Sequence, residues 1–262
     1  MSSRMPTFFL SHGGGPWPYL HGDIRARFAL LESSLRLLPE QVGADPAAIL
    51  VISAHWEDED FAVMSNPAPR TIYDFSGSGC DLTRIRYPAP GSPDLARRTH
   101  ALIRAAGLRS RLDPVRGFDH GVYSLLAVAY PDASIPVVQV AISSDYDPHE
   151  HLQLGRALAP LREEGVLIIG SGMSHHNLDS REDSVRFDRW LEETLVGSEA
   201  RQRSIRLSAW NRAPGAREAH PREHHLVPLF AAVGAAEDES AEIVYREENF
   251  QGKVTLSSYR FG

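Results

Sequence analysis

Twelve histidines are dispersed through this chain of 262 residues, from His12 to His225. Neutral imidazole, with an ordinary pKa near 6.5, keeps a lone pair free at neutral pH and is the commonest protein ligand for a transition metal. His12 directly follows the apolar run TFFLS and precedes Gly13-Gly14-Gly15. His55 comes two residues after AILVIS, and His175 and His176 lie a few residues past VLIIG, in GSGMSHHNL. His120, in RGFDHGVYSLL, and the pair His224-His225, in PREHHLVPLF, stand where helical patterns begin. Converging imidazoles without cysteine suit Zn(II), Fe(II) or a related first-row ion. A structural zinc site is normally closed by four ligands at short local spacings, often with Cys. Here the spacings run from tens to over a hundred residues, so the fold must assemble the site, as in catalysis. His21, His100, His149, His151 and His220 lie in helical or polar surroundings and read as surface residues. Gly13–Gly15 lacks the Lys-Ser/Thr of a phosphate loop and the spacing of a dinucleotide fingerprint. Its expected task is to bring backbone close to the metal pocket.

The elements that must carry these residues alternate between short β-rich runs and longer helical patterns. Strands are expected at Thr7–Ser11, Ala48–Ser53, Phe61–Ser65, Ile135–Ile142, Val166–Gly170, Ala241–Arg246 and Val254–Arg260, with a short further one at Arg109–Asp113. Helices are expected at Asp23–Leu37, Pro93–Ala106, Val122–Ala129, Pro148–Glu163, Arg186–Val196, Glu199–Ala209 and Glu223–Val233. AILVIS and VLIIG are apolar on both faces, as central strands covered by helices on both sides must be. This is an α/β pattern with a mostly parallel sheet, possibly mixed because the last two strands are joined by a tight Gln251-Gly252 turn. In such sheets ligands bind beyond the carboxyl ends of the strands. Three strands therefore deliver His12, His55 and the His175-His176 pair to one edge. The segment Asn66–Gly91, rich in Pro, Gly and aromatics, is expected to be a long ordered loop over the site. Residues 1–262 are read as a single catalytic domain.

Composition narrows the function. Hydrophobic residues make up 42% and charged residues 23%, ordinary globular values, and the net charge of −7 argues against a nucleic-acid surface. The lone Cys80 excludes an intrachain disulfide and a thiolate cluster, and reads as an idle thiol. Neither a signal sequence nor an apolar run of about 20 residues is visible, so a cytoplasmic protein without membrane contact is expected. The oligomeric state is left open.

The ordered series LSHGGGP, SAHWE, YPAPGSP, GFDHGVYSLL, SGMSHHNL and REHHLVPLF resembles the extradiol ring-opening dioxygenases of the protocatechuate-dioxygenase B-subunit class, especially the DOPA-dioxygenase branch. Each tripeptide alone is weak; SAHW, DHG and HNL together, in order from Thr7 to about Ala235, are specific. The resemblance implies a three-layer α/β/α sandwich and an iron(II) enzyme that opens a small aromatic diol with O2, with Zn(II) as another ion the site would hold. It implies His12, His55 and His224 as metal ligands. Glu223 is the alternative at the third position, because the protocatechuate enzymes use a carboxylate there. It implies His176 as the acid–base histidine, chosen over His175 because it directly precedes Asn177-Leu178. It implies His120 as a donor to the oxygen on which charge builds up. Phe118, Tyr123 and Tyr73 are the candidates to sandwich the substrate ring, and His225 is expected to pack against its loop. Two rival readings share these residues: a zinc hydrolase, against which stands the lack of an HExxH motif, and a non-enzymatic binding protein like the Memo proteins, since function belongs to the site and not the fold.

Overall fold

Runs that are apolar on both faces require cover on both sides, and the computed structural model supplies it. It describes residues 4–75, 81 and 85–262, so Cys80 lies outside the described residues. In chain order the elements are β1 (Thr7–Ser11), α1 (Gly22–Ala26), α2 (Ala29–Arg36), α3 (Leu38–Val42), β2 (Ala48–Asp58), β3 (Phe61–Met64), α4 (Pro93–Ala105), β4 (Ser110–Asp113) and α5 (His120–Ala129). There follow β5 (Val137–Ser143), α6 (Pro148–Leu158), β6 (Val166–Gly172), α7 (Arg181–Leu195), α8 (Ala200–Ser208), α9 (Ala216–Ala219), α10 (Val227–Ala235), β7 (Ala241–Phe250) and β8 (Val254–Phe261).

The strands form one eight-stranded sheet in the order β4-β3-β5-β2-β6-β1-β8-β7. Its centre, β5-β2-β6-β1, is parallel, whereas β3 runs antiparallel to β5 and β8 antiparallel to β1 and β7. The sheet is therefore mixed. Alternation along each strand splits the core in two. Phe9, Leu50, Ile52 and Ile168 face α4, α6, α7 and α10. Phe8, Leu10, Ile49, Val51 and Ile169 face α2, α3 and α5. Each such apolar side chain, when fully buried, contributes roughly 1.5–3 kcal/mol. The result is the α/β/α sandwich expected from the pattern.

Two departures from the expected elements matter. The helix expected over Asp23–Leu37 is broken, because Phe28 turns inward to stack on Trp17, with ring centroids 5.0 Å apart. The helix expected from Glu223 begins only at Val227; residues Glu223–His225 form a 3-10 turn, and Pro228 sits in the first turn of α10. Proline fits there because its missing N–H has no intrahelical partner in any case. No helix among the described residues is long and apolar enough to cross a membrane.

Candidate metal centre

The register of the central strands brings the histidines together. Ser11 pairs with Gly172 and Ser53 with Ser171, so the pairing of β1 and of β2 with β6 ends at the same level. His12 leaves β1 with its N–H bonded to Gly172 O at 3.1 Å. Gly13 then adopts φ +75°, a left-handed conformation that a side chain resists, and the chain folds back so that Trp17 Nε1 donates to His12 O at 2.8 Å. His12 Nδ1 lies 3.0 Å from Ser171 Oγ, whose own proton is committed to Gly121 O at 2.5 Å. Ser171 must therefore accept from Nδ1–H, which leaves a lone pair on His12 Nε2.

His55 occupies an irregularity in β2. Ser53 pairs with Ala141 of β5, and the next pair is Glu57 with Ile142, so Ala54, His55 and Trp56 have no partners on that side. Such insertions re-aim side chains. The bulge is anchored from below: Ser53 Oγ accepts from His55 N at 3.2 Å and donates to Asp119 Oδ1 at 2.7 Å. Arg116 donates to His55 O at 3.2 Å and to Asp119 Oδ2 at 2.7 Å, and Gln139 Nε2 also donates to Asp119 Oδ2. Asp119 is fully buried and satisfied by these three side chains.

His225 completes a cluster of three. His55 Nε2 lies 3.1 Å from His12 Nε2 and 3.2 Å from His225 Nε2, with ring planes inclined at 53–83° across the three pairs. Sequence reasoning put His224 here and packed His225 against its loop. Residues of a 3-10 turn step about 120° apart and adjacent side chains diverge, so the turn brings His225 to His55 and leaves His224 beside His176 and His225. His224 is half-exposed and stands edge-on to His225 at 4.4 Å between centroids. Glu223 is turned away and pairs with Arg217 at 2.7 Å.

The remaining imidazoles flank this trio. It is His176 and not His175 that enters, lying flat on His225 with centroids 3.7 Å apart and planes at 12°. His175 Nε2 bonds instead to Asn177 O at 2.6 Å. His176, His224 and His225 also have ring nitrogens within 4.8 Å of one another. Two stacked rings cannot both aim in-plane lone pairs at one ion, so the His12, His55 and His225 set is the better cage. His120, at the start of α5, lies 3.7 Å from the His55 ring, and its Nδ1 is 2.9 Å from Asp74 Oδ2.

Electrostatics favours neutral rings. Burial holds His12 and His225 well below the ordinary imidazole range, reinforced by the neighbouring imidazoles. Burial pushes His55 down to about 3 and His176 to about 4, and lowers His224 as well. Crowding the lone-pair edges of neutral rings this closely is unfavourable unless a cation or proton lies between them. With metal–nitrogen bonds of about 2.05 Å, nitrogens separated by 3.1–3.2 Å subtend roughly 100° at the ion, between octahedral and tetrahedral angles. The donor set fits a first-row divalent ion.

Other expected positions move. His151 and His220, read as surface residues, are buried: His151 accepts from Ser143 N at 3.1 Å, and His220 Nε2 bonds to Ser174 O at 2.9 Å. Phe118 and Tyr123 are fully buried in the core, packed on Tyr87 and Tyr19, and neither offers surface to a ligand. Tyr73 is 45% exposed and packs on Phe75. Phe75, given no site role by sequence, is the loop aromatic beside His120, at 6.5 Å between centroids. Its signal was visible, since it follows Asp74 in the aromatic loop.

Comparison with known proteins shows the family. Residues 6–262 match the family described as the catalytic LigB subunit of aromatic ring-opening dioxygenase. The chain is 38% identical to a 4,5-DOPA dioxygenase extradiol of Portulaca grandiflora, over 97% of this chain and 95% of that protein. It is 32% identical to a protein of the same description from Escherichia coli K12, over 100% and 96% of the two chains. A crystal structure of an uncharacterized protein from Escherichia coli K12 superposes with a TM-score of 0.79 at 30% identity, covering 99% of this chain and 100% of that one. The chain thus belongs to the LigB family of aromatic ring-opening dioxygenases, oxygenase enzymes of the extradiol class.

Proposed function

We propose that this protein is a metal-dependent extradiol dioxygenase that opens a catechol-type ring, residues 1–262 acting as one catalytic domain. The observation that carries the reading is the trio of Nε2 atoms at 3.1 and 3.2 Å, built at the carboxyl edge of the sheet. His12, His55 and His225 hold the metal; His225 takes the place first assigned to His224. These residues would hold Fe(II), which would supply the redox chemistry that joins an aromatic diol to O2, and the same donors would suit Zn(II), which has none. Ser171 and the bulge of β2 fix the ligand rings before any ion arrives, which lowers the cost of binding it.

His176 is neutral near pH 7, because burial and the His224 ring hold it low, and it accepts a proton from the diol as the ring binds. His120 faces the same space from α5. Phe75 and Tyr73 offer one wall for the substrate ring.

The test is anaerobic reconstitution with Fe(II), then oxygen uptake with a panel of catechols including DOPA and protocatechuate. Stoichiometric O2 consumption with a new yellow absorbance is the expected result. Tight binding of one metal per chain with no uptake from any catechol overturns the reading in favour of a hydrolase or a binding protein.

A further inference from the structure

We infer that Asp74 is a positioning residue that sets the polarity of His120, and that its loop is strapped to the segment Gly117–His120 to hold it there. The carboxylate accepts twice from one residue: Oδ1 from His120 N–H at 3.1 Å and Oδ2 from the ring at Nδ1, 2.9 Å away. Oδ2 also stands 3.6 Å from His55 Nδ1, so one carboxylate faces both a metal-directed ring and its neighbour. A carboxylate has no proton to give, so Nδ1 of His120 must carry the hydrogen. In the neutral ring, Nε2 is then an acceptor. A ring nitrogen of His120 lies within 4.8 Å of those of His12 and His55; with Nδ1 engaged by Asp74, Nε2 is the nitrogen left to the pocket.

With Nδ1–H spent on Asp74, Nε2 is the nitrogen this ring offers to a substrate hydroxyl, as an acceptor where the resemblance implied a donor; this rests on the catechol reading above.

The backbone explains how an irregular loop delivers a carboxylate reliably. Thr71 and Phe118 form a parallel bridge, in which Ile72 N donates to Phe118 O at 2.7 Å and Phe118 N to Arg70 O at 2.8 Å. At Gly117 a Cβ would sit 2.1 Å from Arg70 O, so the strap closes only because that position has no side chain. A fixed loop, a fixed carboxylate and a fixed ring follow in sequence. Second partners of this kind orient ligand and catalytic imidazoles, and their loss typically costs roughly 10–100-fold in affinity or activity.

The test uses the full chain loaded with Zn(II), which is diamagnetic, and long-range proton–nitrogen NMR of the histidine side chains, with His120→Gln to assign the resonance. The wild type should show His120 as the Nδ1–H tautomer. Asp74→Asn can present its amide N–H₂ to the ring, and should shift His120 toward Nε2–H. Gly117→Ala alters no side chain that touches His120, yet should produce the same shift by pushing Arg70 and the loop away. In both variants metal content stays at one per chain, and in the iron form kcat falls by roughly a hundredfold. Asp74→Glu recovers part of that loss. A wild-type His120 in the Nε2–H form overturns the inference, as does an unchanged Nδ1–H tautomer in both variants. Absence of oxygen uptake by the wild type would instead sink the dioxygenase reading and leave the tautomer result standing.

Discussion

Neighbouring histidines at the entrance to α10 provide the sharpest test of the metal centre. His225 is buried with its Nε2 3.2 Å from His55 Nε2, whereas His224 is half-exposed and stands beside the trio. Losing a residue that only orients a metal ligand costs roughly 10–100-fold in affinity, or about 1.4–2.7 kcal/mol. Losing the ligand itself must exceed that, so His225→Ala should weaken Zn(II) binding by more than about 100-fold. His12→Ala and His55→Ala should do the same. His224→Ala removes none of the three converging nitrogens and should leave affinity within about threefold, below even the roughly 10–100-fold cost of losing an outer partner. His176→Ala should keep the metal while turnover falls by roughly 100-fold or more, the usual worth of a general base. The assay is competitive Zn(II) titration against a chromophoric chelator, with thermal unfolding to verify that each variant folds. Metal loss in His224→Ala with retention in His225→Ala would refute the assignment, and with it the argument from the 3-10 turn.

Two further outcomes follow from groups outside the centre. Asp119→Ala leaves the Arg116 guanidinium, Ser53 and Gln139 without their shared acceptor beneath the bulge of β2, and should lower the free energy of unfolding by roughly 3–5 kcal/mol in urea denaturation. His151 is held at about 4 by burial, so the folded chain keeps it neutral where the unfolded chain protonates near 6.5. The unfolded state then binds more protons below that value, and stability present above it is lost as pH falls, by about 2 kcal/mol near pH 5. His151→Gln should remove that share of the acid sensitivity when urea midpoints at the two pH values are compared; an unaltered pH dependence would count against it.

Much of the fold was legible because the signals are local. AILVIS and VLIIG announce central strands by being apolar on both faces, and the rule that ligands gather beyond strand ends then selects His12, His55 and the His175-His176 pair. Asn177-Leu178 pointed to His176, which is the member that enters the cluster. At His224-His225 the resemblance pointed to His224, whereas it is His225 whose Nε2 stands beside that of His55. Two adjacent imidazoles carry identical chemistry in the sequence, and only the 3-10 turn ahead of Pro228 decides which one turns inward. Burial of His151 and His220 was equally invisible, because residue type does not show that Ser143 N and Ser174 O meet these rings inside the fold. Asp74 lies 46 residues from His120, and its role depends on Arg70 passing over Gly117 closely enough to exclude a Cβ. Residue type and strand pattern thus determined the inventory of candidate ligands and the edge of the sheet where they meet. Side-chain direction, which depends on turn geometry, bulges and non-local contacts, was settled only by the tertiary structure.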